Sequence, residues 1–266
     1  MSMSISGKTA IVTGAANGIG LAVARHFADQ GANVMFADRD EAHLKKELGP
    51  DLEDGNIRSF AGDLRERLTL ANLLSATLDA FDEVDILVNA ARQVIPSDPL
   101  NADDDAVTTL LNQNLISALR LSQLVAKRMI KQAEGREEGM AGSIVNISSI
   151  AARRTHPELL AYSVSSAALD QMTRSLAVAL APYRIRVNAV AIGSVMSASL
   201  KDALRGDAEC RQDIESHTPL GRIASASELA GAVQYLASDA SSFMTGQILT
   251  IDGGRSLLDS VTVPAH

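Results

Sequence analysis

The chain has 266 residues, 46% of them hydrophobic, and no linker or repeat divides it, so residues 1–266 are predicted to form a single domain. A net charge of −8 argues against a nucleic-acid partner, and the single cysteine, Cys210, is typical of a reducing compartment such as the cytoplasm. No apolar run approaches the ~18 residues of a membrane span, and the sequence shows no signal-peptide pattern, so a membrane partner is not expected. The histidines lack the spacing of metal ligands, so a metal site is not expected either.

A glycine-rich turn joins the first predicted strand to the first predicted helix. The apolar run at residues 9–12 is typical of a buried strand, and Ile19, Val23 and Phe27 recur at the four-residue spacing of an amphipathic helix. The turn and the start of the helix contain Gly14, Asn17, Gly18, Ile19 and Gly20. Glycine allows unusual backbone angles and the close approach of a phosphate, and the N–H groups of a helix N-terminus face an anion. The turn therefore predicts a pyrophosphate site.

The second predicted strand ends in a carboxylate. Residues 34–37 are apolar, and Asp38 follows them, 18 residues after Gly20, where a dinucleotide fold places its ribose-binding acid. Such an acid accepts a hydrogen bond from the ribose 2′-hydroxyl and repels a 2′-phosphate, which predicts NAD as the cofactor and makes NADP less favoured. The neighbouring Arg39 is the residue that could neutralise that phosphate.

Strand-like and helix-like segments alternate along the rest of the chain. This pattern predicts an α/β fold in which a doubly wound parallel sheet carries helices on both faces. Further strands are predicted at residues 57–61, 86–88, 142–147 and 185–190, with a last strand and turn in residues 246–254. The longest helices are predicted over residues 103–131 and 158–180.

Two motifs together resemble the short-chain dehydrogenase/reductase family. The first is T-G-x-x-x-G-I-G from Thr13; the second is Ser149 followed thirteen residues later by Tyr162. The resemblance runs from Thr13 to Gly254 and implies a Rossmann-fold oxidoreductase that passes a hydride between a nicotinamide cofactor and an alcohol or ketone. It also implies that Ser149 orients the substrate carbonyl and Tyr162 transfers the proton.

The resemblance assigns roles to further residues. Asn114 lies in the buried stripe of a helix, where a polar amide costs free energy unless it is hydrogen-bonded; its implied role is to kink that helix and hold a water in a proton relay. Asp63 and Leu64 are implied to contact the adenine ring, although Asp63 also suits the N-cap of a helix from Glu66. Residues 194–218 correspond to a mobile substrate loop. Further cofactor contacts are implied at Asn89, Ser166, Ile192 and Gly193.

The chain departs from the family pattern beside the tyrosine. The family carries a lysine where this chain has Ser166, one helical turn after Tyr162. A neighbouring ammonium binds the nicotinamide ribose and lowers the pKa of an acid by about 1–3 units, and serine can replace a hydrogen bond but not the charge. Four residues are candidates to supply the charge instead: Arg92, Arg153, Arg154 and His156. For Arg92, which replaces a family glycine, the favoured interpretation is a side chain directed into solvent; for His156 it is an exposed loop.

Three hypotheses follow from the sequence. The leading one is an NAD-dependent oxidoreductase with a small-molecule alcohol or carbonyl substrate. The second is an NAD-binding protein with little or no catalysis, because Arg92, Ser166 and Ile192 depart from the family at critical places. The third is a purely structural subunit. Broad apolar surfaces around residues 110–125 and 169–180 predict a homo-oligomer, a tetramer or a dimer.

Overall fold

The structure, a computed structural model, describes residues 2–49, 55–136, 138–197, 200–201, 204–206 and 208–259. At its centre is one sheet of seven strands, all paired in parallel. In chain order the strands are β1 (Thr9–Thr13), β2 (Asn33–Asp38), β3 (Ile57–Ala61), β4 (Ile86–Asn89), β5 (Gly142–Ser149), β6 (Ile185–Ile192) and β7 (Ile248–Ile251). Each predicted strand is present, and the predicted parallel sheet is confirmed.

The strand order places the segments that follow β1 and β4 side by side at the carboxyl ends of the strands. Across the sheet the order is β3-β2-β1-β4-β5-β6-β7. The chain therefore winds outward from β1 in one direction through β3, and then in the opposite direction from β4 to β7. A doubly wound sheet opens a crevice at the carboxyl ends of its strands where this direction reverses. The segments that follow β1 and β4 therefore flank the crevice in which a cofactor is expected.

Helices cover both faces of the sheet. They are α1 (Gly18–Asp29), α2 (Glu41–Leu48), α3 (Arg67–Phe81), α4 (Ala106–Leu111), α5 (Ser117–Gln132), α6 (Leu160–Leu180), α7 (Ala208–Ser216) and α8 (Ser227–Ala237). Val12 shares an apolar cluster with side chains of α1, α2 and α8, whereas its neighbour Ile11 shares one with α3, α5 and α6. Alternating strand residues thus face two apolar layers, and the predicted Rossmann fold is confirmed. Within the described ranges, no helix has both the length and the apolar character to cross a bilayer.

The helix predicted over residues 103–131 is interrupted near its start. α4 ends at Leu111, a π-helical turn covers Asn112–Ile116, and α5 begins at Ser117. Asn114 is buried inside this turn. Single π turns within α-helices are rare and occur frequently at functional sites. The distortion that the resemblance implied at Asn114 is therefore present as a π turn.

Candidate active site

The turn between β1 and α1 requires glycine for two separate reasons. Gly14 and Gly18 have φ angles of +67° and +55°, in the left-handed region that side chains disfavour. A Cβ on Gly20 would lie 2.1 Å from the carbonyl oxygen of Gly14, and a Cβ on Gly14 would lie 2.8 Å from the Cα of Ala91. Glycine at these positions lets the turn close tightly and lets the segment after β4 approach it.

The start of α1 presents hydrogen-bond donors to the crevice. Asn17 is the N-cap residue, and its side chain makes no capping hydrogen bond. The N–H groups of Gly18 and Ile19 meet no acceptor within the part of the chain that the structure describes. Unpaired donors at a helix N-terminus, with the positive end of the helix dipole behind them, are suited to a phosphate group.

Asp38 ties the end of β2 to the same turn. One carboxylate oxygen accepts the N–H of Ala16 at 3.0 Å, and the other accepts the N–H of Asp40 at 3.0 Å. An ionised carboxylate has about four acceptor positions, so two of them stay available to a ligand. The adjacent Arg39 also lines the crevice and makes no hydrogen bond with the described residues.

These groups line one cleft of about 200 Å³ at the carboxyl edge of the sheet. Eight of the predicted cofactor-binding residues line it: Gly14, Asn17, Gly18, Ile19, Gly20, Asp38, Asp63 and Leu64. The lining includes backbone donors suited to a pyrophosphate and the carboxylates of Asp38 and Asp63, which are suited to a ribose and an adenine amine. This arrangement of donors and acceptors fits a nicotinamide dinucleotide.

Asp63 does not cap a helix. α3 begins at Arg67 with Glu66 at its N-cap, whereas Asp63 accepts the backbone N–H of Arg65 at 3.0 Å and pairs with the Arg65 guanidinium. The hydrogen bond from the Arg65 side chain holds the pKa of Asp63 below its usual value. The alternative that Asp63 serves as the N-cap is therefore wrong, and its ionised carboxylate lines the cleft instead.

Four other predicted cofactor residues lie outside this cleft, as far as the described residues define it. Asn89 is buried and donates to Ser122 and Asn146, at 3.0 and 2.8 Å. Ile192 is buried at the end of β6, and Gly193 donates its N–H to the carbonyl of Ile251. The fourth residue, Ser166, lines a small separate cavity together with Tyr162.

Arg92 contacts the predicted catalytic tyrosine. A guanidinium N–H of Arg92 donates to the phenolic oxygen of Tyr162 at 2.6 Å, and both side chains are at least half-buried. The expectation that Arg92 points into solvent is therefore wrong. The reason lies in the backbone: Thr13 Oγ1 accepts the N–H groups of Ala90 and Ala91, at 3.0 and 3.1 Å, which holds the segment after β4 against β1. Arg92 follows directly and extends toward α6.

Asn114 and Ser149 each make hydrogen bonds with the backbone of another residue, Gln93 and Ala151 respectively. The amide of Asn114 accepts the N–H of Gln93 at 2.8 Å and donates to the carbonyl of Gln93 at 2.9 Å, so it clamps the residue next to Arg92. Ser149 is the last residue of β5, and its Oγ accepts the N–H of Ala151 at 3.1 Å. The Ser149 hydroxyl proton meets no acceptor among the described residues, so it is available to a substrate oxygen. The sequence signalled that Asn114 needs a partner, but nothing in it pointed to Gln93.

Comparison with known proteins decides the family. The sequence profile of the family described as enoyl-(acyl carrier protein) reductase matches residues 14–256. This chain belongs to the short-chain dehydrogenase/reductase family. As a member of that family it is a nicotinamide-dependent oxidoreductase that acts on alcohols or ketones.

Similar proteins cover nearly the whole chain. The 3-oxoacyl-(acyl-carrier-protein) reductase FabG of Thermotoga maritima is 34% identical over 260 residues, which is 95% of this chain and 99% of that protein. The 7alpha-hydroxysteroid dehydrogenase of Escherichia coli K12 is 32% identical over 252 residues, which is 94% of each. A solved structure of a 7alpha-hydroxysteroid dehydrogenase with NADH and 7-oxo glycochenodeoxycholic acid has a TM-score of 0.86 at 32% identity and covers 95% of both chains. Because these relatives are named for unlike substrates, they share a fold and a reaction class rather than one substrate.

Three of the four candidate replacements for the family lysine interact with groups other than Tyr162. Arg153 pairs with the buried Asp170 at 3.8 Å, and Arg154 donates to the carbonyl of Ser256. His156 is exposed, as predicted, and its Nδ1 accepts the N–H of Glu158 at 3.3 Å. Of the four, Arg92 alone makes a hydrogen bond to the tyrosine in the described structure.

Proposed function

We propose that this short-chain dehydrogenase/reductase uses NAD to interconvert an alcohol and a ketone, with Tyr162 as acid and base. The observation that supports this most strongly is the placement of Tyr162. Its oxygen accepts a hydrogen bond from Arg92, which lines the dinucleotide cleft. Within the described residues the phenolic proton has no acceptor, so it is available to a substrate. Nothing in the comparisons favours a binding protein without catalysis.

The cofactor and the residues of the site have separate roles in the reaction. A bound nicotinamide supplies the hydride acceptor for oxidation or the hydride donor for reduction. During oxidation, the substrate hydroxyl proton passes to the ionised oxygen of Tyr162; during reduction, the Tyr162 hydroxyl returns a proton to the carbonyl oxygen. Ser149 donates its hydroxyl proton to the same substrate oxygen and fixes its position. Asn114 acts on the backbone of Gln93, and through it on Arg92.

The remaining parts of the proposal concern the cofactor, the substrate loop and the assembly. Asp38 favours NAD over NADP. Residues 194–218 cover the substrate; within them, residues 198, 199, 202, 203 and 207 lie outside the described residues, and Ser197 lines the cleft. We also infer a homo-oligomer in a reducing compartment such as the cytoplasm, the latter because the chain holds a single cysteine.

The test is turnover across a panel of alcohols with NAD and of ketones with NADH, followed by cofactor absorbance. Tyr162→Phe removes the transferable proton and is expected to lower kcat by about 10²- to 10⁴-fold, while calorimetry shows unchanged NAD affinity. Tyr183→Phe is the matched control, because Tyr183 is half-exposed at the end of α6 and belongs to no part of the site. Equal rates for Tyr162→Phe and the parent would refute the assignment. NAD binding with no turnover by any protein would favour the binding-protein alternative.

A further inference from the structure

The contact between Arg92 and Tyr162 joins distant parts of the chain. The two residues are 70 positions apart in sequence, and the nitrogen and the phenolic oxygen are separated by 2.6 Å, which is short even for a charge-assisted hydrogen bond. Arg92 lines the dinucleotide cleft on one side and the small cavity beside Tyr162 on the other. Its side chain therefore passes between the cofactor site and the tyrosine.

The chemistry of the guanidinium fixes the direction of this hydrogen bond. Arginine carries only donors and keeps its charge throughout the pH range in which proteins are stable. The Tyr162 oxygen must therefore accept from Arg92, and its own proton must point elsewhere. A positive donor at this distance attracts the negative charge that develops on the oxygen as a proton is transferred. The same contact thus promotes proton removal and directs the proton toward a substrate.

The position that the family gives to lysine has no room for a second cation. The cavity lined by Ser166, Tyr162, Arg92 and Asn114 has a volume of about 10 Å³, the space of a single water at most. Within the described residues, the Ser166 hydroxyl makes no hydrogen bond. The arginine from the segment after β4 thus occupies the neighbourhood of the tyrosine that a lysine on α6 would otherwise enter.

The backbone around Arg92 is held on both sides. Thr13 accepts the N–H groups of the two residues before it, and Asn114 clamps the residue after it with two hydrogen bonds. A fixed backbone limits the positions that the Arg92 side chain can reach, so less freedom is lost when the guanidinium contacts Tyr162. The fold therefore orients Arg92 toward Tyr162 before any ligand arrives.

We infer that Arg92 supplies the positive charge at Tyr162 that the family lysine provides elsewhere, and so acts through Tyr162 as a positioning residue. The inference rests on the proposed function, because it gives Tyr162 the proton-transfer role. Arginine keeps its own protons, so Arg92 stabilises the ionised oxygen without relaying a proton.

The test compares pH–rate profiles of alcohol oxidation. Arg92→Ala is expected to lower the rate at neutral pH by about tenfold or more and to move the rise of the rate toward higher pH. Arg92→Lys keeps a cation and is expected to recover much of the rate and of the profile. Arg154→Ala is the matched control: it removes the same charge from an exposed arginine bound to Ser256 and should keep the parent profile.

A double variant separates a lost charge from lost structure. In Arg92→Ala, the space beside Tyr162 opens, so Ser166→Lys in that background should place an ammonium there and restore the neutral-pH rate by tenfold or more. Ser166→Lys in the parent should give no gain, because two cations would then crowd one oxygen. A gain in the parent, or an unchanged profile in Arg92→Ala, would overturn the inference.

A measurement that needs no turnover distinguishes failure of the inference about Arg92 from failure of the proposed function. The ultraviolet difference titration of each protein against its Tyr162→Phe counterpart isolates the ionisation of Tyr162 from that of the other two tyrosines. Ionisation at higher pH in Arg92→Ala than in the parent supports the inference even if no substrate in the panel reacts. Coincident titrations overturn it even if the parent is an active oxidoreductase.

Discussion

At the scale of single residues, Asp38 combines a structural task with a binding task. Its two oxygens accept the N–H groups of Ala16 and Asp40, which fixes the glycine turn relative to β2. The same carboxylate lines the cleft, so its remaining acceptor positions and its charge are available to a ribose. The guanidinium of the adjacent Arg39 makes no hydrogen bond with the described residues, and its positive charge would attract the 2′-phosphate that Asp38 repels. The cofactor preference is therefore the balance between these two neighbours.

We predict that calorimetry finds tighter binding of NAD than of NADP to the parent protein. Asp38→Asn removes the charge and keeps one of the two oxygens that accept the N–H groups of Ala16 and Asp40, so NADP affinity should rise by about tenfold, which corresponds to ~1.4 kcal/mol. Adding Arg39→Ala should reverse part of that gain, because a cation near the 2′-phosphate is lost. Comparable binding constants of the parent for both cofactors would contradict the prediction.

At the scale of elements, the strand-to-helix turn and the π turn set the geometry of the site. Gly20 lies in the first turn of α1 directly against the carbonyl of Gly14, so β1 and α1 approach more closely than any side chain would permit. The π turn at Asn112–Ile116 brings Asn114 out of register with α4 and toward Gln93. Both distortions are local departures from regular geometry that the surrounding apolar layers hold in place.

Gly20→Ala is expected to destabilise the protein by about 1–3 kcal/mol, because its Cβ overlaps backbone rather than a movable side chain. It should also weaken NAD binding, since the N–H groups of α1 shift with the turn. Gly231→Ala is the control, and its expected effect on stability has the opposite sign. Gly231 lies within α8, and no atom lies within 4 Å of the position of an added Cβ. That substitution should stabilise the protein by up to ~1 kcal/mol. Denaturant titrations of the three proteins measure both effects; equal stability of Gly20→Ala and the parent would disprove the steric account.

At the scale of the whole molecule, apolar surface on the outer helices favours association. Val178 on α6 is 77% exposed, and Phe243 in the segment after α8 is fully exposed. A groove of about 470 Å³ between α3 and α5 is lined in part by Leu70, Leu119 and Leu124. Large apolar side chains exposed in this way are often found at interfaces, and they support the proposed tetramer or dimer.

We predict that light scattering at micromolar concentration gives the mass of a dimer or tetramer. Val178→Asp and Phe243→Asp should each lower the mass or raise the concentration needed for assembly, because each would bury an unpaired charge at a contact. Leu100→Asp is the control, since Leu100 is 94% exposed but lies in a loop outside both surfaces. A monomer mass for the parent would refute the prediction.

The sequence by itself determined the sheet and the glycine turn, and the spacing of Ser149 and Tyr162 pointed to the family. Apolar periodicity, glycine requirements and fixed spacings are properties of neighbouring residues, so they are visible along one chain. Only the tertiary structure decided the position of the Arg92 side chain, because its partner Tyr162 lies 70 residues away and the two meet only when β4 and α6 are packed. The clamp of Asn114 on Gln93 and the internal hydrogen bonds of Asn89 were decided in the same way. A buried polar side chain must find a partner, and the sequence shows the need, but only the fold brings the partner within reach.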